Sequence, residues 1–253
     1  MMISLNTLKS LVDQFNFWYE KQGFTIVSVF SKDDLSPVTN VDLSISNWLI
    51  KELPKIKDIP VISEETELEN WDQRKAWESF WIIDPIDGTK GFIEGSGEWT
   101  VNVAYVEKGI VQAGLVICPA LQCTYLGAVG EGTYYWTPTL IRPLDYKKKP
   151  VNFRSRFGLE VVGSVHHPEE ELKALMNQYP SANLKSRGSS LKFCLVADGQ
   201  ADYYPRYRNL MEWDIAAAHG VLKAAGGNVY ELGTKKEVTY NSVTLKAPKF
   251  EAY

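Results

Sequence analysis

Carboxylates placed a few residues apart at the end of an apolar run are the groups in this chain best suited to chemistry. Phe80-Trp81-Ile82-Ile83 is followed at once by Asp84-Pro85-Ile86-Asp87-Gly88-Thr89. The apolar run reads as a buried strand, and Pro85 and Gly88 bend the chain where it leaves the sheet, so both aspartates can be aimed at one point. Hard oxygen ligands of this kind suit Mg²⁺, which takes them in octahedral array together with waters and substrate phosphate. The same D-P-x-D-G pattern is also a good surface-turn sequence. Two further acidic positions widen the pattern: Glu64-Glu65 follows the apolar Pro60-Val61-Ile62, and Trp213-Asp214 opens an apolar stretch. Taken singly, Glu64-Glu65 reads as a solvated edge and Asp214 as a helix N-cap.

The elements that must position these groups follow from periodicity. Leu5, Leu8, Leu11, Val12, Phe15 and Trp18 recur at helical spacing and predict an amphipathic helix ending near Gly23. A second helix is expected from Val41 to Leu53, with Ile45, Trp48 and Leu49 inward and Pro54 as its stop. Trp99–Val106 and Ile110–Ile117 flank Glu107-Lys108-Gly109 as a hairpin, and Thr124–Val129 with Gly132–Trp136 form another. The first half therefore reads as helices over an antiparallel sheet. The polar stretch Arg142–Arg156, with Lys147-Lys148-Lys149-Pro150, is the best boundary, dividing residues 1–148 from 149–253. Beyond it are expected a strand at Leu159–Val162, helices over Pro168–Gln178, Leu191–Ala197 and Trp213–Ala225, and a strand at Ala201–Tyr204. That is an α/β half.

Composition bounds the function classes. The chain has 253 residues, 45% of them hydrophobic, enough for a sizeable core in one large domain or two packed smaller ones. Lys and Arg total 27 against 31 Asp and Glu, a net charge of -4, so no global basic field points to nucleic acid. An anionic substrate would need local compensation, and metal cations can supply it. Cys118, Cys123 and Cys194 are an odd count without a CxxC pair and suggest no disulfide framework. The first twenty residues do not read as a signal peptide, and no apolar run has the length of a membrane span. The expected setting is a reducing cytoplasm, free or peripheral to the inner membrane face. No G-x-S-x-G, Walker A or Rossmann glycine pattern occurs.

Ile62-Ser63-Glu64-Glu65, Trp81-Ile82-Ile83-Asp84-Pro85-Ile86-Asp87-Gly88-Thr89 and Trp213-Asp214-Ile215-Ala216-Ala217-Ala218 stand in the order and spacing of three motifs of the inositol monophosphatase superfamily. The chain resembles that superfamily from about Lys32 to Tyr230. Within it the chain is most similar to the bacterial 3′(2′),5′-bisphosphate nucleotidases, through Ser36–Asp42, Gly97–Asn102, Gly188–Ala197 and Tyr204-Pro205-Arg206. The resemblance implies a layered α+β or α/β fold of the sugar-phosphatase kind, with α-β-α-β-α layers. It implies that Glu64, Asp84, Asp87, Asp214 and the backbone carbonyl of Ile86 hold two Mg²⁺ ions, with Asp84 bridging them, and that Glu65 supports a third through water. Asp42 and Thr89 resemble the pair that orients the attacking water, and Gly88 and Thr89 open a short helix facing the phosphate.

On the substrate side the resemblance places Ser189, Lys192 and Arg206 around the phosphate that is retained, beside Gly88, Thr89 and Asp214. The implied activity is hydrolysis of adenosine 3′,5′-bisphosphate to AMP and phosphate, extending to its sulfated relative, with sensitivity to Li⁺. Relatives acting on inositol monophosphate or fructose 1,6-bisphosphate share the metal core, so that core alone leaves those substrates open. A non-catalytic cation binder is the remaining alternative, and it would have no use for Asp42 and Thr89. His166 and His167 are either an exposed pair before a helix or contacts to a base, and His219 reads as structural. Gly91, Ala218 and Leu245-Lys246-Ala247-Pro248 depart from the family's usual residues. Oligomeric state is not written in the sequence.

Overall fold

The computed structural model describes residues 3–24, 28–31, 37–147, 157–164 and 170–253. Helix α1 (Leu5–Gln22) starts at Ser4, whose hydroxyl accepts the Thr7 N–H at 3.2 Å, and turns Leu5, Leu8, Leu11, Val12 and Phe15 inward. Strands β1 (Val29–Ser31) and β2 (Pro37–Thr39) form a ribbon leading into α2 (Asn40–Ile56). Pro54 does not stop this helix, which runs two residues past it. A proline so near the C-terminal end removes one ladder bond and leaves the last turn to close through Lys57 N–H to the Leu53 carbonyl at 3.1 Å.

Strands β3 (Val61–Ser63), β4 (Ser79–Asp87), β5 (Thr100–Glu107), β6 (Ile110–Cys118), β7 (Cys123–Ala128), β8 (Gly132–Trp136) and β9 (Ile141–Pro143) form one seven-stranded sheet in that order. Short helices α3 (Trp71–Arg74) and α4 (Thr89–Glu94) lie before and after β4. The sheet is not antiparallel throughout, because β3 runs parallel to β4. That exception positions the site: parallel neighbours end at the same edge, so the residues after Ser63 and after Ile83 emerge side by side.

The second half supplies β10 (Glu160–Ser164), α5 (Glu170–Gln178), β11 (Asn183–Arg187), α6 (Leu191–Ala197), β12 (Tyr204–Arg206), α7 (Trp213–Ala225), β13 (Val229–Glu231) and β14 (Phe250–Ala252). β10 and β11 pair in parallel, and β12-β14-β13 form a small antiparallel sheet. The strand expected at Ala201–Tyr204 lies instead at Tyr204–Arg206, where pairing with β14 selects it.

Alternation along β4 divides the core. Trp81 and Ile83 face α1 and α2, while Phe80 and Ile82 face α6 and α7. Phe250, Ala252, Val229 and Tyr204 of the small sheet pack behind α6 and α7, and Leu159, Val161 and Leu172 join β10 to α5. The result is an α-β-α-β-α stack, as the fold class implied. Among the described residues no helix is long and apolar enough to cross a membrane.

Candidate active site

In a regular strand, residues three apart point to opposite faces. Asp84 and Asp87 escape that rule because β4 carries an irregularity between them: Asp84 pairs with Asn102 and Asp87 with Thr100, so three steps on β4 oppose two on β5. Pro85 is tolerated inside this extra-residue bend, where no ladder donor is required. Gly88 then turns left-handed at φ 91° and opens α4 with Thr89 as its first residue.

The bend, the β3 terminus and the start of α7 converge. Carboxylate oxygens of Glu64, Asp84 and Asp214 all lie within 4.8 Å of one another. Both Asp84 oxygens are buried and have no partner in hydrogen-bonding geometry among the described residues. Burial, and then the negative charge of Glu64 beside it, push the Asp84 carboxyl well above the usual carboxylate range. Asp214 is raised in the same direction by burial and by Asp87 and Glu64. Asp87, beside this triplet, is pushed up to about 6 by burial against the opposing pull of Lys192 and the Ser190 backbone N–H. Such mutual repulsion among buried acids is relieved either by protons or by cations. The donor set is all oxygen, the Asp84 oxygens lack a partner in hydrogen-bonding geometry, and this chemistry fits Mg²⁺.

Asp214 is not the N-cap of α7. Glu212 holds that place, and Asp214, two residues further on, reaches back to accept the Met211 N–H through Oδ2 at 2.8 Å. Glu65 donates its backbone N–H to Ser63 Oγ at 3.3 Å and stands outside the triplet.

Thr89 Oγ1 lies 3.2 Å from Asp42 Oδ1 and 3.0 Å from the Ile86 carbonyl, and its single proton serves one of them at a time. Asp42 is fully buried as the third residue of α2. Its Oδ2 accepts the Thr39 N–H at 2.9 Å and also the Thr39 hydroxyl, closing a capping box. Burial raises its pKa, against those hydrogen bonds.

A cleft of about 350 Å³ opens over these groups and is also lined by Gly88, Ser189, Lys192 and Arg206. Lys192 and Arg206 are both buried. Lys192 Nζ donates to the Ser189 carbonyl at 2.6 Å and the Arg187 carbonyl at 3.3 Å. Burial lowers its pKa to about 8, with Asp87 opposing and Arg206 adding to the fall. Ser189 Oγ lies 3.2 Å from Thr100 Oγ1, whose single proton is shared among Ser189, Ser190 and Asn102.

The structure thus brings Asp42, Glu64, Asp84, Ile86, Asp87, Thr89, Ser189, Lys192, Arg206 and Asp214 to one region. His166 and His167 lie outside the described residues. His219 is buried on α7 with Nδ1 2.7 Å from Tyr240 Oη and Nε2 2.6 Å from Asn228 Oδ1, away from the cleft lining. Missed by sequence reasoning is the polar layer beneath the acids. Ser190 Oγ donates to Asn102 Oδ1 at 2.8 Å, and the Asn102 amide helps hold Asp87 down. That contact is looser than a formed bond, since Asn102 Nδ2 meets no partner in hydrogen-bonding geometry.

The model of the inositol monophosphatase family matches residues 9–252. The 3′(2′),5′-bisphosphate nucleotidase CysQ of Salmonella typhimurium is 39% identical over 201 residues, covering 79% of this chain and 78% of the relative. The crystal structure of CysQ from Bacteroides thetaiotaomicron superposes with a TM-score of 0.71 at 32% identity, covering 82% of this chain and 81% of that one. An IMPase/NADP phosphatase solved with Mg²⁺ and phosphate shares the fold, with a TM-score of 0.71 at 20% identity over 97% of this chain and 91% of that one.

Proposed function

The chain belongs to the inositol monophosphatase family, and from that membership we propose that it is a metal-dependent 3′(2′),5′-bisphosphate nucleotidase, converting adenosine 3′,5′-bisphosphate to AMP and phosphate. The observation that carries the choice of substrate is the pair of buried cations, Lys192 and Arg206, lining the same cleft as the carboxylates. One phosphate needs the acids and their metal; a second needs these two side chains.

Glu64, Asp84, Asp87, Asp214 and the Ile86 carbonyl would hold two Mg²⁺ ions, with Glu65 supporting a third. When bound, such ions lower the pKa of a water and neutralise phosphate charge. The chain's own groups do the rest. Thr89 gives its proton to Asp42 and turns its oxygen lone pair to a water, which fixes the direction of attack. Asp42, held by Thr39 and kept more basic by burial, is the proton acceptor behind it. Ser189 offers its hydroxyl proton, and Lys192 and Arg206 their N–H groups, to the phosphate that stays. The family resemblance also supports action on the sulfated relative.

Phosphate release is to be measured with Mg²⁺ on adenosine 3′,5′-bisphosphate, its sulfated relative, adenosine 3′-monophosphate, inositol 1-phosphate and fructose 1,6-bisphosphate. The bisphosphonucleoside should lead. Arg206→Ala should lower the ratio of bisphosphate to monophosphate efficiency by roughly tenfold to a hundredfold, as loss of a charge-assisted hydrogen bond implies. A ratio unmoved by Arg206→Ala, or a wild-type preference for inositol 1-phosphate, returns the chain to the general sugar-phosphatase reading.

A further inference from the structure

Glu98 is an anomaly in this cleft. It lines the space offered to an anionic substrate, yet it is acidic and outside the carboxylate cluster. Its contacts give the reason. Glu98 Oε2 accepts the Gly188 N–H at 2.7 Å, and Oε1 lies 3.8 Å from Arg187 Nε. Gly188 is pressed so closely on Glu98 that a Cβ there would stand 2.9 Å from the Glu98 carbonyl oxygen and 3.1 Å from its Cβ. Glu98 precedes β5 in the first half of the chain, whereas residues 187–189 connect β11 to α6 in the second. The carboxylate therefore ties the two halves together at the cleft wall.

The segment it ties is the one that aims Lys192. Of the three N–H bonds of that ammonium, two are donated to the Ser189 and Arg187 carbonyls, on either side of Gly188. The third is thereby directed by backbone atoms whose position depends on the Glu98–Gly188 bond. The Arg187 contact contributes little, because at 3.8 Å its partners are 50% and 29% exposed and screened by water. We propose that Glu98 is a positioning residue for the retained phosphate, clamping the 187–189 segment through Gly188 so that Lys192 presents its remaining N–H to that phosphate. This rests on the assignment of Lys192 to the retained phosphate made above.

The test compares wild type, Glu98→Ala, Glu98→Met, Glu98→Gln and Lys192→Ala, each with Mg²⁺, on adenosine 3′,5′-bisphosphate and adenosine 3′-monophosphate, with KM and kcat measured separately. Alanine and methionine remove the acceptor, and methionine keeps the bulk should alanine fail to fold. Glutamine keeps an acceptor for Gly188 and removes the charge. Expected is a rise of roughly five- to tenfold in the ratio of bisphosphate KM to monophosphate KM in Glu98→Ala and Glu98→Met, the scale of one lost hydrogen bond. It should appear in KM rather than kcat, and Glu98→Gln should recover most of it. Equal effects of Gln, Ala and Met would make the charge and not the clamp responsible, and overturn the proposal. So would a fall in kcat shared by both substrates, or a Glu98 series that leaves the ratio still while Lys192→Ala moves it. If Lys192→Ala leaves the ratio still, the substrate assignment itself fails and the clamp with it.

Discussion

Asp84 illustrates how a single residue can be costly for the fold and required by the site. A buried carboxylate with no donor and an acidic neighbour is destabilising unless it gains a proton or a cation. Asp84→Asn should accordingly abolish phosphate release while raising the melting temperature of the metal-free protein, since an amide carries no charge and can donate to Glu64. At about 2–4 °C per kcal/mol for a chain of this size, a gain of several degrees in EDTA is expected. An unchanged or lower melting temperature would show that Asp84 is not strained by its neighbours. Sequence spacing located Asp84 and Glu64 as candidates because their types are distinctive. It did not reveal that Asp42 doubles as the capping partner of Thr39, although Thr39-x-x-Asp42 is a helix-start signature. Nor did it give a role to Glu98 or Asn102, although both lie in the matching stretch Gly97–Asn102, because their partners lie in the other half of the chain.

Helix α7 carries Asp214 and must lie against the sheet at a fixed height for that carboxylate to meet Glu64 and Asp84. Gly114 on β6 sets the height: a Cβ there would stand 1.9 Å from the Ala217 carbonyl oxygen and 2.8 Å from the Val221 nitrogen, both backbone atoms that cannot swing aside. Gly114→Ala should destabilise the protein by about 3 kcal/mol, the upper range of overpacking. It should also weaken Mg²⁺ binding by lifting the helix. Denaturant unfolding checks the first effect and Mg²⁺ titration of thermal stability the second; a variant with both unchanged would show that the contact relaxes freely. Periodicity found α1 and α2, since each buries one apolar face, while α6 and α7 are marked by apolar runs and are buried on nearly every side. It missed β11, whose exposed Asn183–Arg187 lacks an apolar alternation and is a strand only because β10 pairs with it.

Over the whole molecule, pH and metal act on the same groups. Asp84, Asp87 and Asp214 have folded pKa values above their unfolded ones, so below those folded values the native state holds protons that the unfolded chain has released. Stability of the metal-free protein should therefore fall as pH rises from about 4 through 6 and beyond. His219 works against this, because burial lowers its pKa to about 4 and its contribution grows with pH up to its unfolded value near 6.5. Asp42, also raised by burial, adds to the fall, whereas Glu160, Asp198 and Glu237, whose pKa values are lowered, gain stability with pH only up to their unfolded values; above about pH 5 His219 alone opposes the raised carboxylates and the net slope is negative. With saturating Mg²⁺ the slope should flatten, because cations displace the protons, and binding at pH 6 should release protons measurable as a buffer-dependent heat. A metal-free melting temperature that climbs from pH 5 to 7 would contradict the carboxylate geometry.

Side-chain type and spacing establish the chemical character of the protein: oxygen-rich motifs after apolar runs, no basic field, no covalent nucleophile motif, and enough apolar periodicity for a layered fold. Those features are local, and local propensity and side-chain type suffice to write them. That Asp84 and Asp87 share a face comes from the folded chain, because it depends on an irregular register with β5. So does the emergence of Glu64 beside them, through the parallel pairing of β3 and β4. The clamp from Glu98 to Gly188 joins residues 90 positions apart. Contacts of that separation are set by which surfaces bury together, and no short window of sequence carries that information.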